Sequence, residues 1–289
     1  MIGVPRRDLA ERVRGAFRAE GVEAEVHLFE GRRTLNRARE VDRTGLDAVV
    51  AGGGDGTISA VAGILAGGTV PLGILPIGTL NHFAKDLGIP LALDEAVRVV
   101  ANGIVRPVDI GEVNGQTFIN NCSIGLYPHI VRSRIEQTER LGRGKWWAMF
   151  LASLAVFRRF PVLRVTLQFP DRSLTRTTPF VFIGNNEYEM NLLALGSRAR
   201  VDGGILSLYV ANRTGRFGLL RLAVRAILGR LDQAKDFDSM SLSEVLIETK
   251  RRRLSVALDG EVIRMKPPLK CRVRPGGLRV IVPPEEAEP

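Results

Sequence analysis

Residues 46–65 read Leu-Asp-Ala-Val-Val-Ala-Gly-Gly-Gly-Asp-Gly-Thr-Ile-Ser-Ala-Val-Ala-Gly-Ile-Leu: an apolar strand, a run of glycines and an apolar helix in direct succession. Glycines at 52, 53 and 54 leave the main chain without Cβ atoms, so a phosphate can approach its N–H groups closely. The positive end of the following helix dipole points at the same place. Asp55 is out of keeping with a bare phosphate cradle, because a carboxylate repels polyphosphate unless a cation or a proton-transfer role compensates. The pattern therefore suggests a nucleotide site that needs a metal. Taken alone, it is equally a tight strand-to-helix turn built of turn-forming residues.

A second strand-to-helix passage follows at residues 75–90, Leu-Pro-Ile-Gly-Thr-Leu-Asn-His-Phe-Ala-Lys-Asp-Leu-Gly-Ile-Pro. The stretch Gly53-Gly54-Asp55-Gly56-Thr57 resembles the signature shared by diacylglycerol kinases, sphingosine kinases and NAD kinases. Residues 78–84 resemble the Gly-Thr-x-Asn-Asp-Phe-Ala segment of the diacylglycerol-kinase family, with His82 in place of the usual Asp. Neither is a Walker loop, which requires Gly-Lys-Ser/Thr. Two such passages at family spacing set lipid kinases ahead of NAD kinases, which share only the first.

The remaining chain is consistent with a folded two-domain enzyme. It has 289 residues, long for one core and comfortable for two, with 45% hydrophobic and 25% charged residues. Its formal net charge of +10 attracts nucleotides, nucleic acids and anionic membranes alike. With aromatic residues at 6% and no basic-aromatic sheet pattern, nucleic acid is not the expected partner. The start lacks the apolar core of a signal peptide. The most apolar stretch, 146–157, falls short of the roughly 20 residues that span a bilayer. The two cysteines, Cys122 and Cys271, fit buried thiols in a reducing cytoplasm.

Strands and helices alternate through the first third. The reading is a helix over 7–20, a strand over 22–29, a basic helix over 35–44, a strand over 47–51 and a helix to Leu65. A strand over 72–75 and helices over 81–87 and 93–101 complete it. Such alternation implies a parallel sheet covered by helices, with ligands at the carboxyl ends of the strands, where both glycine passages lie. After residue 106 most segments alternate as strands: 108–113, 117–122, 163–169, 180–184, 205–211, 244–248, 254–258, 262–265, 270–273 and 278–282. Asn114-Gly115, Asp202-Gly203 and Asp259-Gly260 supply turn signals between several of them. The expected organisation is an α/β nucleotide-binding domain over 1–106 and a mainly antiparallel domain over 107–289, a β-sandwich in the resembled family. Helical insertions fall at about 131–160 and 217–229.

The resemblance implies roles. Gly53, Gly54, Asp55, Gly56, Thr57 and Thr79 would bind ATP, Asn81 would shape the pocket, and Asp55 would organise Mg²⁺. Residues 258–262, Leu-Asp-Gly-Glu-Val, match an acidic turn that in lipid kinases faces the cleft between domains. This implies Glu261 as proton acceptor, with Asp259 the competing candidate; by composition alone the segment is a hairpin turn. Residues 199–206 resemble a loop that holds a structural Mg²⁺, implying Asp202 with main-chain carbonyls near Ala199 and Gly204, although Ser207 stands where the family often has an acid. Oxygen-only ligation suits a hard cation. Asn121, Gly125, Asn185 and Asn186 read either as site-lining or as turn-capping residues. Family members usually open with a further strand and an Asn-Pro-x-Ser-Gly turn that also touches nucleotide phosphates; the expectation is either a start that lies further upstream, which is favoured, or loss of the element at a cost in nucleotide affinity.

The implied activity is transfer of the γ-phosphoryl group of ATP to a lipid hydroxyl such as that of diacylglycerol. Alternatives are an NAD kinase or a relative that binds nucleotide or lipid without catalysis. The cation-flanked, tryptophan-containing stretch 143–160 suits either burial or an anionic membrane interface. A cytoplasmic, peripheral enzyme, possible as a homodimer, is the expectation.

Overall fold

A computed structural model describes residues 6–28, 45–125, 162–187, 198, 200–211 and 237–284. The chain divides into two compact units. One comprises Met1–Ile110, Arg200–Asp202 and Pro275–Pro289; the other comprises Gly111–Ala199 and Gly203–Arg274.

The first unit holds helix α1 (Arg6–Ala19), strand β1 (Val49–Gly53), helix α2 (Asp55–Leu65), strand β2 (Leu72–Pro76), and helices α3 (His82–Asp86) and α4 (Leu93–Asn102). β1 and β2 pair in parallel, Val49 opposite Leu72 through Gly53 opposite Pro76. On the other side of β2, Leu72 pairs in parallel with Val280. β2 is thus a central strand, and all five of its residues are buried, as expected for a sheet covered on both faces. α1 buries Ala10, Val13 and Phe17, one stripe at helical spacing. α4 lies on β2 at Gly73, where any β-carbon would press on Val100 and Val50.

The second unit is a sandwich of antiparallel strands. One sheet contains β6 (Leu163–Gln168), β7 (Ser173–Thr178), β11 (Glu244–Thr249), the first part of β14 (Leu269–Val282) and the short β4 (Gln116–Phe118). β4 pairs with the end of β3 (Ile104–Val113) through the Asn114-Gly115 turn. Both turn residues have positive φ, 48° and 80°, the geometry that tight hairpins require. The other sheet runs β10-β9-β8-β5-β12-β13, that is Phe237–Leu242, Leu206–Ala211, Phe180–Asn185, Asn121–Gly125, Leu254–Leu258 and Glu261–Met265. Its core draws on both sheets, including Val165, Leu167, Ile183, Leu208, Ile247 and Val256. Cys122 and Cys271 are free and buried; hydrogen bonding to Cys271, and then burial, push the Cys122 thiol well above its ordinary pKa.

Several expectations need correcting. Residues 22–28 are in no strand, although their apolar alternation suggested one. The strand expected over 117–122 is two strands broken at 119–120, where the main chain turns onto Asp259. The strands expected at 270–273 and 278–282 are one, because Pro275-Gly276-Gly277 bends β14 without ending it. β7 and β10 were not expected at all. Each is an outermost strand of its sheet, rich in Ser, Thr and charge, so burial imposes little apolar alternation on it. The expected linear division at 106/107 omits the return of the chain, since the last part of β14 pairs with β2 in the first unit. The segments expected as helices over 35–44, 131–160 and 217–229 lie outside the described residues.

Candidate functional site

In the first unit the two glycine passages lie side by side at the carboxyl ends of β1 and β2. β1 ends at Gly53 and α2 starts at Asp55, with Gly54 as its N-cap residue in extended geometry. The Gly54 carbonyl accepts from Thr57 N (2.9 Å) and Ile58 N (3.1 Å). No side chain caps this helix, so the first-turn N–H groups of Asp55 and Gly56 are open to an anion. A β-carbon on Gly53 would fall 2.7 Å from Thr57 Cβ, and one on Gly78 would collide with the Gly54 backbone. Gly53 thus leaves room for Thr57 within its own loop, while Gly54 and Gly78 let the two loops touch main chain to main chain.

Asn81 organises the second passage. It sits in the left-handed region (φ 52°, ψ 45°), which Asn tolerates better than most residues. Its Nδ2 donates to the Pro76 and Gly78 carbonyls, both at 3.0 Å, closing the loop. Its Oδ1 is buried and receives no hydrogen bond. Pro76, Ile77, Gly78, Thr79, Asn81, Leu91 and Leu93 line a cavity of about 240 Å³. A buried acceptor without a donor at such a cavity fits a ligand that brings one. Asp55 is half-buried; among the described residues its Oδ1 accepts only a 3.3 Å bond from Phe83 N, which leaves oxygen lone pairs for a hard cation. His82 is the first residue of α3, beside this loop, and its side chain has no hydrogen bond to the described residues.

In the second unit, Asp259 and Gly260 form the turn between β12 and β13, with φ of 46° and 88°. Asp259 Oδ2 accepts from Ile119 N (2.8 Å), and Oδ1 accepts from Asn120 N (2.8 Å) and Asn121 N (2.9 Å). Three main-chain donors on one carboxylate hold the 119–121 turn. Glu261, two residues on, is exposed, and its side chain has no hydrogen bond or ion pair to the described residues.

Arg198 is a functional candidate that sequence reading missed. Only 7% of it is exposed. It donates through Nη1 to the Ile119 and Asn185 carbonyls (2.8 and 3.1 Å) and through Nη2 to Asn120 Oδ1 (3.1 Å). A guanidinium thus backs the turn that Asp259 holds from the other side. Nothing in the sequence separates it from forty other basic residues. Asn185 and Asn186 act as turn-capping groups: Asn185 Nδ2 donates to Ile119 O at 2.9 Å, and Asn186 Oδ1 accepts from Gly203 N at 2.8 Å.

Asp202 is held by two arginines. Arg106 Nη2 lies 2.7 Å from Oδ2, and Arg200 Nε lies 3.3 Å from Oδ1. Arg106 foremost, then Arg200, holds this carboxyl below its ordinary pKa. Both oxygens already face positive charge, so a cation here would have to displace a guanidinium. Among the described residues no three carboxylate, histidine or cysteine side chains gather as a metal cluster. Ala199 lies outside the described residues, and Gly204 has left-handed φ (69°).

Residues 5–113 match the family model of the diacylglycerol kinase catalytic domain, and residues 127–282 match that of the YegS C-terminal NAD kinase beta sandwich-like domain. A Pseudomonas aeruginosa protein named "Probable lipid kinase YegS-like" is 31% identical over 283 residues, covering 94% of this chain and 90% of that protein. A Bacillus subtilis protein named "Diacylglycerol kinase" is 26% identical over 279 residues, with the same coverage. A crystal structure of a diacylglycerol kinase from Bacillus anthracis aligns with a TM-score of 0.68 at 21% identity, covering 95% of this chain and 92% of that one. That structural likeness speaks to the fold alone.

Proposed function

The chain belongs to the lipid kinase family that joins a diacylglycerol kinase catalytic domain to a YegS-type β-sandwich, and we propose that it phosphorylates a lipid hydroxyl with ATP. The observation that carries this reading is the paired glycine passage: Gly54 against Gly78, an open first turn of α2, and Asn81 with an unmet acceptor at the adjoining cavity. Gly53, Gly54, Gly56, Thr57 and Thr79 are assigned to the ATP phosphates, and Asn81 to shaping the pocket. Bound Mg²⁺, for which Asp55 is the fitting carboxylate, would neutralise charge on the phosphates.

In the reaction, the lipid oxygen bonds to the γ-phosphorus as the bond from that phosphorus to the β–γ bridging oxygen breaks. ADP leaves, and the hydroxyl proton passes to a carboxylate. Glu261 is assigned as that acceptor, being exposed and unengaged. Asp259 is the competing candidate for the role. Asp202, with carbonyls near Ala199 and Gly204, is proposed as a further cation loop in which the metal competes with Arg106. Diacylglycerol is the proposed lipid, and contact with the membrane is taken to be peripheral. No helix among the described residues is long and apolar enough to cross a bilayer.

The test is incubation of purified protein with γ-labelled ATP, Mg²⁺ and diacylglycerol in neutral detergent micelles, with NAD as a parallel acceptor. Label in the lipid that is abolished by EDTA is the expected result. Label in NAD alone, or no MgATP binding by calorimetry, refutes the proposal.

A further inference from the structure

The strand registers sort the loops of the sandwich to two ends. Leu258 pairs with Glu261 and with Cys122, so the Asp259 turn marks one end. Leu254 pairs with Met265 at the other, and Thr249 pairs with Val165 in the opposite sheet. The connection from β11 to β12, residues 250–253, therefore crosses between sheets at the end away from Asp259. It reads Lys-Arg-Arg-Arg.

Arg164 is the second residue of β6 beside this turn, Arg264 is the penultimate residue of β13, and Lys266 directly follows β13 on the way to β14. All seven side chains are exposed, and none forms an ion pair with the described residues. The nearby acids do not offset them. Asp238 is already paired with Arg176 at 3.2 Å, which among the described residues leaves the exposed Glu248 against seven cations. Like charges crowded on a turn repel one another, and nothing in the fold requires them there; an external anionic surface relieves the repulsion.

We propose that this end of the sandwich, centred on Lys250, Arg251, Arg252 and Arg253, docks on an anionic lipid bilayer. The proposal rests on the lipid kinase reading for its choice of occupant. Clusters of four or more Lys/Arg bind acidic headgroups through summed, salt-sensitive attraction. Single-stranded nucleic acid is disfavoured because, among the described residues, the exposed large hydrophobic side chains include no aromatic on which bases could stack. β12 has five residues, and at about 3.3 Å per residue it sets the basic turn some 15 Å from the acidic one. Docking by this end leaves the Asp259 turn uncovered.

The test is co-sedimentation of the full chain with phosphatidylcholine vesicles, with and without a minority of phosphatidylglycerol, at low and high salt. Wild type is expected to bind only the anionic vesicles and to release in salt. Replacing Lys250, Arg251, Arg252 and Arg253 by Ser is expected to weaken binding roughly tenfold or more. A charge-matched control, with Arg12, Arg14, Arg18 and Arg98 replaced by Ser, is expected to retain it. Lipid phosphorylation in neutral micelles is expected to survive in the turn variant. Equal vesicle binding by wild type and turn variant overturns the proposal. So does binding of single-stranded RNA, lost in the turn variant, with vesicles ignored. Absence of micelle activity in every variant defeats the kinase reading and leaves the vesicle comparison to judge the patch.

Discussion

Asp55 and Asp259 occupy turns of similar composition, each with glycine on at least one side and a strand before it, yet their surroundings differ. Asp55 begins a helix and meets one long hydrogen bond, 3.3 Å from Phe83 N. Asp259 bridges two strands and is met by three main-chain donors at 2.8–2.9 Å. Much of the acceptor capacity of Asp55 is uncommitted, and most of that of Asp259 is spent on holding residues 119–121. The lesson is that a carboxylate's chemistry is set by how many donors the fold has already turned toward it. The exposed Glu261 beside Asp259 is the uncommitted acid of the second turn.

The comparison breaks most sharply at Glu261. Glu261→Gln is expected to lower turnover by about 10²–10⁴-fold, with MgATP affinity unchanged and stability within about 0.5 kcal/mol, as for an exposed site. Normal turnover in that variant transfers the base role to Asp259. Next in size is Gly78→Ala, whose new methyl group meets the Gly54 backbone. It should cost about 2–3 kcal/mol in denaturant unfolding and abolish nucleotide binding by calorimetry. Asp259→Ala strands three main-chain donors at a half-buried turn and should cost about 2 kcal/mol, whereas Asp55→Ala should leave stability nearly unchanged while weakening the Mg²⁺ dependence of ATP binding.

The smallest effect concerns Asp202. Its folded pKa is depressed, so the stability it contributes is present above its unfolded pKa and is lost as pH falls through the folded value. Arg106→Gln, measured in EDTA, should shrink that acid-side loss by removing the main cause of the depression. At neutral pH the cost should stay below about 1 kcal/mol, because both partners are partly exposed. An unchanged acid limb in thermal melts would show that the pair does not act in solution.

The α/β unit was legible because glycine passages and buried strands impose strong local patterns: β2 is apolar throughout, and Gly53, Gly54 and Gly78 announce close approach. The outer strands β7 and β10 were not, since one-sided pairing asks little of their side chains. At the site, the acidic and glycine residues could be listed from the sequence, but their engagement could not. The three donors on Asp259 come from residues about 140 positions away, and the guanidinium of Arg198 reaches the same turn from a segment with no distinguishing pattern. Such partners are matters of tertiary proximity, which periodicity does not encode.

Strand β14 is claimed by both units: Leu269 and Cys271 pair with β11, and Val280 pairs with β2. A single cut in the gene therefore cannot yield either half intact, because whichever fragment ends before residue 269 is missing a row of its own sheet. Attempts to express the nucleotide half by itself should return aggregating material, with an unprotected β2 edge as the adhesive.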